Sequence, residues 1–155
     1  MDLDVFWQRP VSLYDGHKEG LILACDLEQI PEAAGVYAFC RIFGENIKPI
    51  YIGRAADVRR RVKWHLESNV RLVHKIVGAK SGEKVVLPGV WKPKPGQRAA
   101  KALPILEAAL IKFAIAEGHD LLNKQGVKLR VHTINSTGNR DACSHLFRRT
   151  INVEK

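Results

Sequence analysis

The segment from residue 35 to residue 65 constrains the fold most, because two strand-like stretches and a basic helix follow one another within it. Gly35 to Cys40 and Pro49 to Gly53 are rich in Val, Ile, Tyr and Phe and are bounded by Gly, Pro or Asn, which is typical of a β-hairpin. The polar, glycine-containing stretch from Phe43 to Lys48 supplies the loop. If the two strands pair, Tyr37 and Tyr51 can present their hydroxyls at one end of the sheet.

The hairpin leads into a helix predicted from Asp57 to Glu67, with Asp57 as its N-cap. Val58, Val62 and Leu66 recur every four positions, as on the buried face of an amphipathic helix. Periodicity leaves open which of two basic pairs faces the tyrosines. Each pair is spaced four residues apart and so lies on one side of the helix: Arg61 with His65, and Arg59 with Lys63.

Length and charge bound the domain count and the partners. We expect one domain spanning residues 1–155, since this is the usual size of a single domain. The 25 Lys and Arg against 16 Asp and Glu give a formal charge of +9, which favours a polyanionic partner. A soluble basic protein without such a partner is the alternative that charge alone leaves open.

Cysteine content and hydropathy indicate the cellular compartment in which the protein is expected. The three cysteines are odd in number and far apart in sequence, so neither a disulfide framework nor a zinc site is indicated. The N-terminus has no signal-like apolar region, and no run approaches the ~18 apolar residues that a membrane helix requires. We therefore expect a cytoplasmic protein that does not contact membranes.

A second strong helix is predicted from Leu103 to Glu117, with Pro104 in its first turn. Glu107 is the informative residue of this helix. Its neighbours at helical spacing include Leu103, Leu110 and Ile111, so its carboxylate projects from an apolar face. An unpaired carboxylate there would cost on the order of several kcal/mol. Glu107 should therefore meet a cation, a metal or a buried donor.

The run from Pro88 to Arg98 is predicted to be a proline-rich basic loop that follows a third strand at Glu83 to Val90. Its Trp91 lies between two nearby lysines, Lys92 and Lys94. Such a tryptophan can stack on a base while the lysines meet phosphates. Packing in the core is the alternative role.

The remaining segments carry weaker patterns. The predictions are an irregular lead-in over residues 1–20, a helix from Val70 to Val77, a peripheral strand with one basic face from Val127 to Ile134, a polar turn from Asn135 to Asn139, a short helical stretch from Ala142 to Arg149, and a last strand from Thr150 to Val153.

Two motifs, Gly35-Val36-Tyr37 and Tyr51-Ile52-Gly53, together resemble the signature of the GIY-YIG nuclease superfamily. Counting from the second motif, the arginine of that superfamily falls on Arg61 and its His-or-Tyr position falls on His65. Arg54 matches the basic residue often found directly after the second motif. This register selects the Arg61 and His65 pair as the one that faces the tyrosines.

The same resemblance continues toward the C-terminus, where the glutamate and asparagine of the superfamily fall on Glu107 and Asn123. The co-occurrence of all these positions in order, over residues 35 to 123, makes the resemblance specific. The fold it implies is α/β (α+β): a small, mainly antiparallel, three-stranded central sheet flanked by helices, with N- and C-terminal extensions. The interval between the tyrosines is longer than the family's common one, which implies an enlarged hairpin loop around Phe43 to Lys48, and the interval from Glu107 to Asn123 is also somewhat long.

The resemblance also implies a chemical role for each residue of the site. Glu107 would hold one divalent metal, Mg²⁺ or Mn²⁺. Tyr37 would act as the general base, which requires cationic neighbours to lower its pKa from ~10. Arg61 would bind the scissile phosphate, and Tyr51 and His65 would position water or shuttle a proton. Asn123 would hold the site together by hydrogen bonds.

The expected function is metal-dependent endonucleolytic hydrolysis of nucleic acid, with DNA favoured over RNA. The alternatives are a nucleic-acid-binding module that has lost cleavage and a nuclease domain of a toxin. The residues expected to contact nucleic acid outside the catalytic set are Arg54, Arg59, Arg60, Lys63, Trp91, Lys92, Lys94 and Arg98.

Overall fold

One mixed sheet of seven strands organises the molecule, which is described here as a computed structural model covering residues 1–79, 81–123 and 132–153. The strands are β1 (Asp2–Trp7), β2 (Val11–Ser12), β3 (Tyr14–Asp15), β4 (Leu23–Ala24), β5 (Gly35–Phe43), β6 (Asn46–Ala55), β7 (Glu83–Lys92), β8 (His132–Gly138) and β9 (Thr150–Val153). The helices are α1 (Val58–Ser68), α2 (Val70–Gly78) and α3 (Ala99–Ala116).

The sheet runs in the order β6-β5-β7-β1-β8-β9, and the short β2 pairs with β7. β1 and β8 are parallel, whereas the other pairs in this sheet are antiparallel. β3 and β4 form a separate two-stranded sheet. The three-stranded sheet expected from the sequence is therefore wrong: β6, β5 and β7 do pair, but they continue through β1 into β8 and β9.

The N-terminal segment accounts for much of that error. Residues 1–20 were expected to be irregular, but β1 lies between β7 and β8. Leu3, Val5 and Trp7 are buried, while the residues between them are more exposed. This is the period of two that a strand imposes, although two aspartates and a phenylalanine at the alternate positions disguise it.

The hairpin of β5 and β6 is longer and tighter than expected. The strands extend to Phe43 and Asn46 and are joined by a turn at Gly44, whose φ of 60° suits a residue without a Cβ. The stretch that looked like an enlarged loop is mostly strand. The register shifts between Phe39 and Cys40, where a β-bulge interrupts the pairing.

The helices also differ in detail from the predictions. Asp57 caps α1 by accepting from the Arg60 N–H at 3.1 Å, as a helix N-cap does. α3 begins at Ala99, so Pro104 lies in its second turn and not in its first. No helix within the described residues is long and apolar enough to cross a membrane.

The predicted strand Val127–Ile134 falls partly outside the described residues, which resume at 132. β8 includes the segment expected to be a polar turn, Asn135 to Asn139, as far as Gly138, and it lies between β1 and β9, not at the periphery. A turn of π-helix from Ala142 to Leu146 then leads to β9.

Two apolar clusters lie on the two faces of the sheet. Alternate residues of β5 contribute to each, because successive side chains of a strand point to opposite faces. Val36 and Ala38 pack with α3, while Tyr37 and Phe39 pack with α1 and α2. Tyr37 is thereby directed toward α1, which carries His65.

Candidate active site

A buried hydrogen bond joins the hairpin to α1. The Tyr37 Oη lies 2.7 Å from His65 Nε2. Tyr37 is only 1% exposed and His65 only 3% exposed. Burying two polar groups is tolerable when each satisfies the other, so this pair fixes how α1 sits on the sheet.

Asn69 fixes the direction of that bond. Its Oδ1 accepts from the Leu72 N–H at 3.3 Å, where it caps α2, and its Nδ2 lies 3.0 Å from His65 Nδ1. An amide nitrogen can only donate, so Nδ1 is the acceptor and the neutral ring carries its proton on Nε2. His65 Nε2–H therefore donates to the Tyr37 oxygen, and the Tyr37 O–H is free to donate elsewhere.

Tyr51 lies beside this pair. Its ring lies 6.4 Å from the Tyr37 ring and 5.5 Å from the His65 ring, centroid to centroid. Burial raises the pKa of Tyr51 and Glu107 adds to this, while Arg61 and the neighbouring Tyr37 hydroxyl act in the opposite direction. The chain of donors thus runs from Asn69 through His65 to Tyr37, and Tyr51, which is half-buried, lies nearest to solvent.

Burial decides the ionisation of Tyr37 and His65. It raises the pKa of Tyr37 far above its usual value, and the nearby Arg61 opposes this only in part. Burial, with a smaller contribution from Arg61, lowers the pKa of His65 to about 4. Of the cations expected from the sequence to lower the Tyr37 pKa, Arg61 by itself does not do so, because desolvation of the phenolate outweighs the cation beside it. At neutral pH Tyr37 keeps its proton and His65 is uncharged.

Arg61 is the centre of the cluster. Its side chain is exposed. Its charge opposes the burial that raises the pKa values of both tyrosines and of Glu107, and it adds to the burial that lowers the pKa of His65. One guanidinium thus lies within electrostatic reach of four other predicted site residues. The fork of an exposed arginine is suited to binding a phosphate through two hydrogen bonds.

Glu107 reaches the cluster from α3. It is half-buried, and burial raises its pKa, while Arg54 and Arg61 act in the opposite direction. The charge of Arg54 and its backbone N–H both favour the ionised carboxylate. A carboxylate has two oxygens that accept several hydrogen bonds, so Glu107 can accept from or coordinate a further group.

Asn123 binds the edge of β6 that pairs with no other strand among the described residues. Its Oδ1 accepts from the Ile52 N–H at 3.2 Å, and its Nδ2 donates to the Ile52 carbonyl. The Leu122 N–H donates to the Ile50 carbonyl at 2.8 Å. These bonds cover an edge strand that would otherwise expose its backbone. They also fix the position of Ile52, which is the residue next to Tyr51.

Gly53 is required by the packing of Tyr37. A Cβ built at Gly53 would lie 2.5 Å from Tyr37 Cζ, closer than real Cβ atoms come to other atoms. The glycine of the second motif therefore makes room for the tyrosine of the first. Any larger residue at this position would displace the Tyr37 ring from His65.

Two cavities adjoin Arg61. The tryptophan cavity, of about 430 Å³, is lined by Ala55, Ala56, Asp57, Arg60, Arg61 and Trp64. The α3 cavity, of about 360 Å³, is lined by Arg54, Ala55, Ala56, Arg61, Ala99, Ala100, Leu103 and Pro104. Because they share Ala55, Ala56 and Arg61, the guanidinium lies where the two cavities meet.

Arg54 adds a second cation to the α3 cavity. Its Nε is buried and has no hydrogen-bond partner among the residues that the structure describes. A buried donor without a partner carries a free-energy cost on the order of 1–3 kcal/mol. An anion bound beside Arg61 would bring acceptor atoms close to this side chain.

Several residues expected to contact nucleic acid have other partners. Arg59 donates to Glu32 Oε1 at 2.7 Å and to the Ile30 carbonyl at 2.7 Å, so it holds α1 against the preceding loop. Lys63 lies 3.9 Å from Glu67 on the same helix. These two lie on the flank of α1 away from the site.

The predicted basic loop is also largely committed to packing. Trp91 is 8% exposed and belongs to the core, so it cannot offer its ring to a base. Lys94 Nζ lies 2.6 Å from Asp2 Oδ2, and Lys92 lies over the Phe6 ring. Arg98 remains exposed at the N-terminus of α3, next to the α3 cavity.

A metal ion at this site would have one carboxylate ligand, that of Glu107. Within residues 1–79, 81–123 and 132–153, no group of three or more His, Cys, Asp or Glu side chains is arranged to hold a metal ion. A single carboxylate fits Mg²⁺, which keeps several waters and completes its coordination with substrate phosphate. Glu107, with acceptor capacity left over, fits that limited role.

Comparisons with known proteins provide no further guide to the activity. No protein-family model matches the chain, and no curated protein or solved structure shows significant similarity to it. The function must therefore be argued from the cluster itself.

Two residues of the site escaped the sequence analysis. Asn69 is four residues after His65, a spacing that places both on one side of a helix, but its role depends on the start of α2 directly after α1. The sequence pattern assigned no role to Trp64. Only the cavity beside it shows that its exposed ring adjoins Arg61.

Proposed function

We propose that this protein is a GIY-YIG-type endonuclease that hydrolyses phosphodiester bonds of nucleic acid, with DNA favoured over RNA. The observation that supports it is the convergence of Tyr37, Tyr51, His65 and Glu107 on the exposed guanidinium of Arg61. Cavities open on both sides of that guanidinium. A polyanionic strand can therefore cross Arg61 with room for a nucleotide on either side.

Arg61 binds the scissile phosphate and stabilises the negative charge that grows as the phosphorus adds a fifth oxygen. Preorganised donors of this kind supply a large share of the stabilisation of a transition state. Arg54, in the same cavity, adds positive charge on the α3 side. The rest of the cluster then has to orient the attacking water.

Tyr51, which is half-buried and lies nearest to solvent, is the hydroxyl that contacts this water. Its oxygen accepts a hydrogen bond from the water, which leaves a lone pair of the water directed at the phosphorus. The proton that the water loses on attack passes to bulk solvent, and the departing oxygen takes its proton from solvent. Tyr37 and His65 serve as neutral positioning groups, because burial keeps the proton on Tyr37 and keeps His65 uncharged. This differs from the general-base role that the resemblance implied for Tyr37.

Glu107 would hold one Mg²⁺ or Mn²⁺. When bound, such an ion neutralises phosphate charge and lowers the pKa of a water molecule. The raised pKa of Glu107 reflects the cost of keeping a carboxylate half-buried, a cost that a bound cation would offset. The three cysteines are free thiols, and we place the enzyme in the reducing cytoplasm.

The test is cleavage of a supercoiled plasmid and of labelled single-stranded, duplex, flap and junction substrates, with Mg²⁺ or with EDTA. Cleavage only with the metal is expected, together with its loss in Glu107→Gln. That variant should melt in EDTA no lower than the wild type, because it removes a costly half-buried charge. Binding without cleavage of any substrate would favour the noncatalytic alternative.

A further inference from the structure

We propose that the tryptophan cavity is a nucleobase subsite, in which the base next to the scissile phosphate stacks on Trp64. The ligand is an unpaired nucleotide, because a base inside a duplex already stacks on its neighbours and offers no free face. This inference rests on the proposed function, since it places the phosphate of the same strand on Arg61.

The position of Trp64 carries the inference. Its side chain is on α1, about two turns after the N-cap Asp57, and is 49% exposed. A single exposed apolar residue is ordinary on a protein surface. Trp64, however, lines a cavity of about 430 Å³ together with Arg60 and Arg61. An aromatic face beside two cations is the combination that binds single-stranded nucleic acid.

The spacing between the ring and the cation fits a single nucleotide. The Arg61 Cζ lies 5.8 Å from the centre of the Trp64 ring, at the outer limit of a cation–π contact. A phosphate on Arg61 therefore sits beside the ring. When the nucleoside attached to that phosphate turns toward the tryptophan cavity, its base reaches the indole of Trp64.

The two cavities also give the strand a direction. Both cavities are basic, but only the tryptophan cavity carries an aromatic ring; the α3 cavity is walled beside Arg54 by Ala99, Leu103 and Pro104. One flank of the scissile phosphate therefore offers stacking and the other does not. Removal of a base should affect binding on one side of the cleaved bond only.

The chain provides a selective optical probe. It has three tryptophans, and the other two, Trp7 at 1% exposed and Trp91 at 8% exposed, are buried. A base that stacks on an indole quenches its fluorescence. Titrating the wild-type protein in EDTA with a single-stranded oligonucleotide should therefore quench the part of the emission that comes from Trp64, and Trp64→Phe should abolish the quenching.

A second measurement locates the base. Oligonucleotides that carry one abasic position keep every phosphate and lose one stacking partner. In the wild type, one abasic position beside the cleaved bond should weaken binding about tenfold. Trp64→Ala should bind all of these oligonucleotides equally and weakly, while Trp64→Phe should retain most of the position dependence because phenylalanine can still stack.

The outcomes separate this proposal from the proposed function. Quenching that persists in Trp64→Phe, an abasic effect that persists in Trp64→Ala, or no binding of the oligonucleotide at low salt would overturn the subsite. Cleavage by a wild type that shows none of the Trp64 effects would overturn the subsite alone. Quenching and the abasic effect in a protein that cleaves nothing would overturn hydrolysis and leave the subsite standing.

Discussion

At the residue scale, burial sets what the site's polar side chains can do. Tyr37 and His65 are both almost fully enclosed, and each is therefore held in its neutral form. A charged His65 would have to displace the donor that Asn69 presents to its Nδ1. The pair thus works as a fixed hydrogen-bond donor behind Tyr51 and not as a source of charge.

Asn69→Asp should reverse the polarity of the donor chain. Aspartate keeps the acceptor that caps the Leu72 N–H, but it cannot donate to His65 Nδ1. His65 should then carry a proton on Nδ1, and its Nε2 should accept from Tyr37. We expect the ¹⁵N chemical shifts to show that the protonated ring nitrogen changes from Nε2 to Nδ1. Cleavage should slow roughly tenfold or more.

Asn46→Asp is the matched control for this variant, since Asn46 is exposed at the far end of β6. It should leave the His65 ring signals unchanged. Wild-type protein in which Nδ1 already carries the proton would show that Asn69 does not set the tautomer.

The lowered pKa of His65 predicts a pH dependence of stability. The folded pKa of about 4 lies below the ordinary value of 6.5, so neutral His65 favours the folded state above pH 6.5. That contribution is lost as the pH falls toward 4. Between pH 7 and pH 4.5 the wild type should lose about 2 kcal/mol more free energy of unfolding than His65→Gln.

Urea unfolding of both proteins at the two pH values measures this difference. The comparison cancels the other titrating groups, because they are present in both proteins. Parallel losses in wild type and variant would mean that His65 titrates normally, and that it is not enclosed as described.

At the element scale, the site is built along the open edge of β6. Asn123 binds the backbone of Ile52, and the backbone N–H of Arg54, two residues further along, favours the ionised Glu107 carboxylate. Backbone groups two residues apart point to the same side of a strand. A loop residue and a residue of α3 thus both lie against the edge of β6 that has no strand partner among the described residues.

Asn123→Ala should free this edge. It removes both bonds to Ile52, and leaving buried backbone groups unpaired costs on the order of 1–3 kcal/mol. Hydrogen exchange at the Ile52 amide should accelerate at least about tenfold, and the melting temperature should fall. Asn46→Ala, on the same strand, serves as the control and should change neither. An Ile52 amide that stays protected in Asn123→Ala would show that other contacts cover the edge.

Local pattern predicted the elements near the site better than it predicted the sheet. Strand-like composition and turn residues marked β5, β6 and β7, and the apolar stripe marked α1. β1 was missed because Asp2 and Asp4 hide its alternation. Its parallel partner β8 comes more than a hundred residues later, and such a pairing leaves no local signal in sequence.

At the scale of the whole molecule, the extra strands support the hairpin that carries the site. Trp7 of β1 donates to Ser136 Oγ of β8 at 3.1 Å and stacks on Phe147 at 4.9 Å between ring centres. β1 in turn pairs with β7, which pairs with β5. Tyr37 therefore lies on a strand backed by a wide sheet and not on an isolated hairpin.

The candidate site was predictable in its members but not in its electrostatics. Motif spacing indicated Tyr37, Tyr51, Arg61 and His65, and the apolar surroundings of Glu107 singled it out. The direction of the Tyr37 pKa shift depends on how deeply the ring is buried, which only the packing of α1 on the sheet determines. The sequence suggested Trp91 as the ring that meets a base, whereas the structure exposes Trp64. Packing again decides this, since β7 continues past Trp91, which is buried where β7 pairs with β1.

The central claim is that the cluster around Arg61 cleaves phosphodiester bonds, and the single-turnover cleavage rate of Arg61→Ala with Mg²⁺ tests it most directly. The control is Arg71→Ala, which removes an exposed arginine from α2, away from both cavities. Removing a preorganised donor to the transition state should slow Arg61→Ala by about 100-fold or more, while Arg71→Ala should stay near the wild-type rate. Equal rates for the two variants would contradict the account.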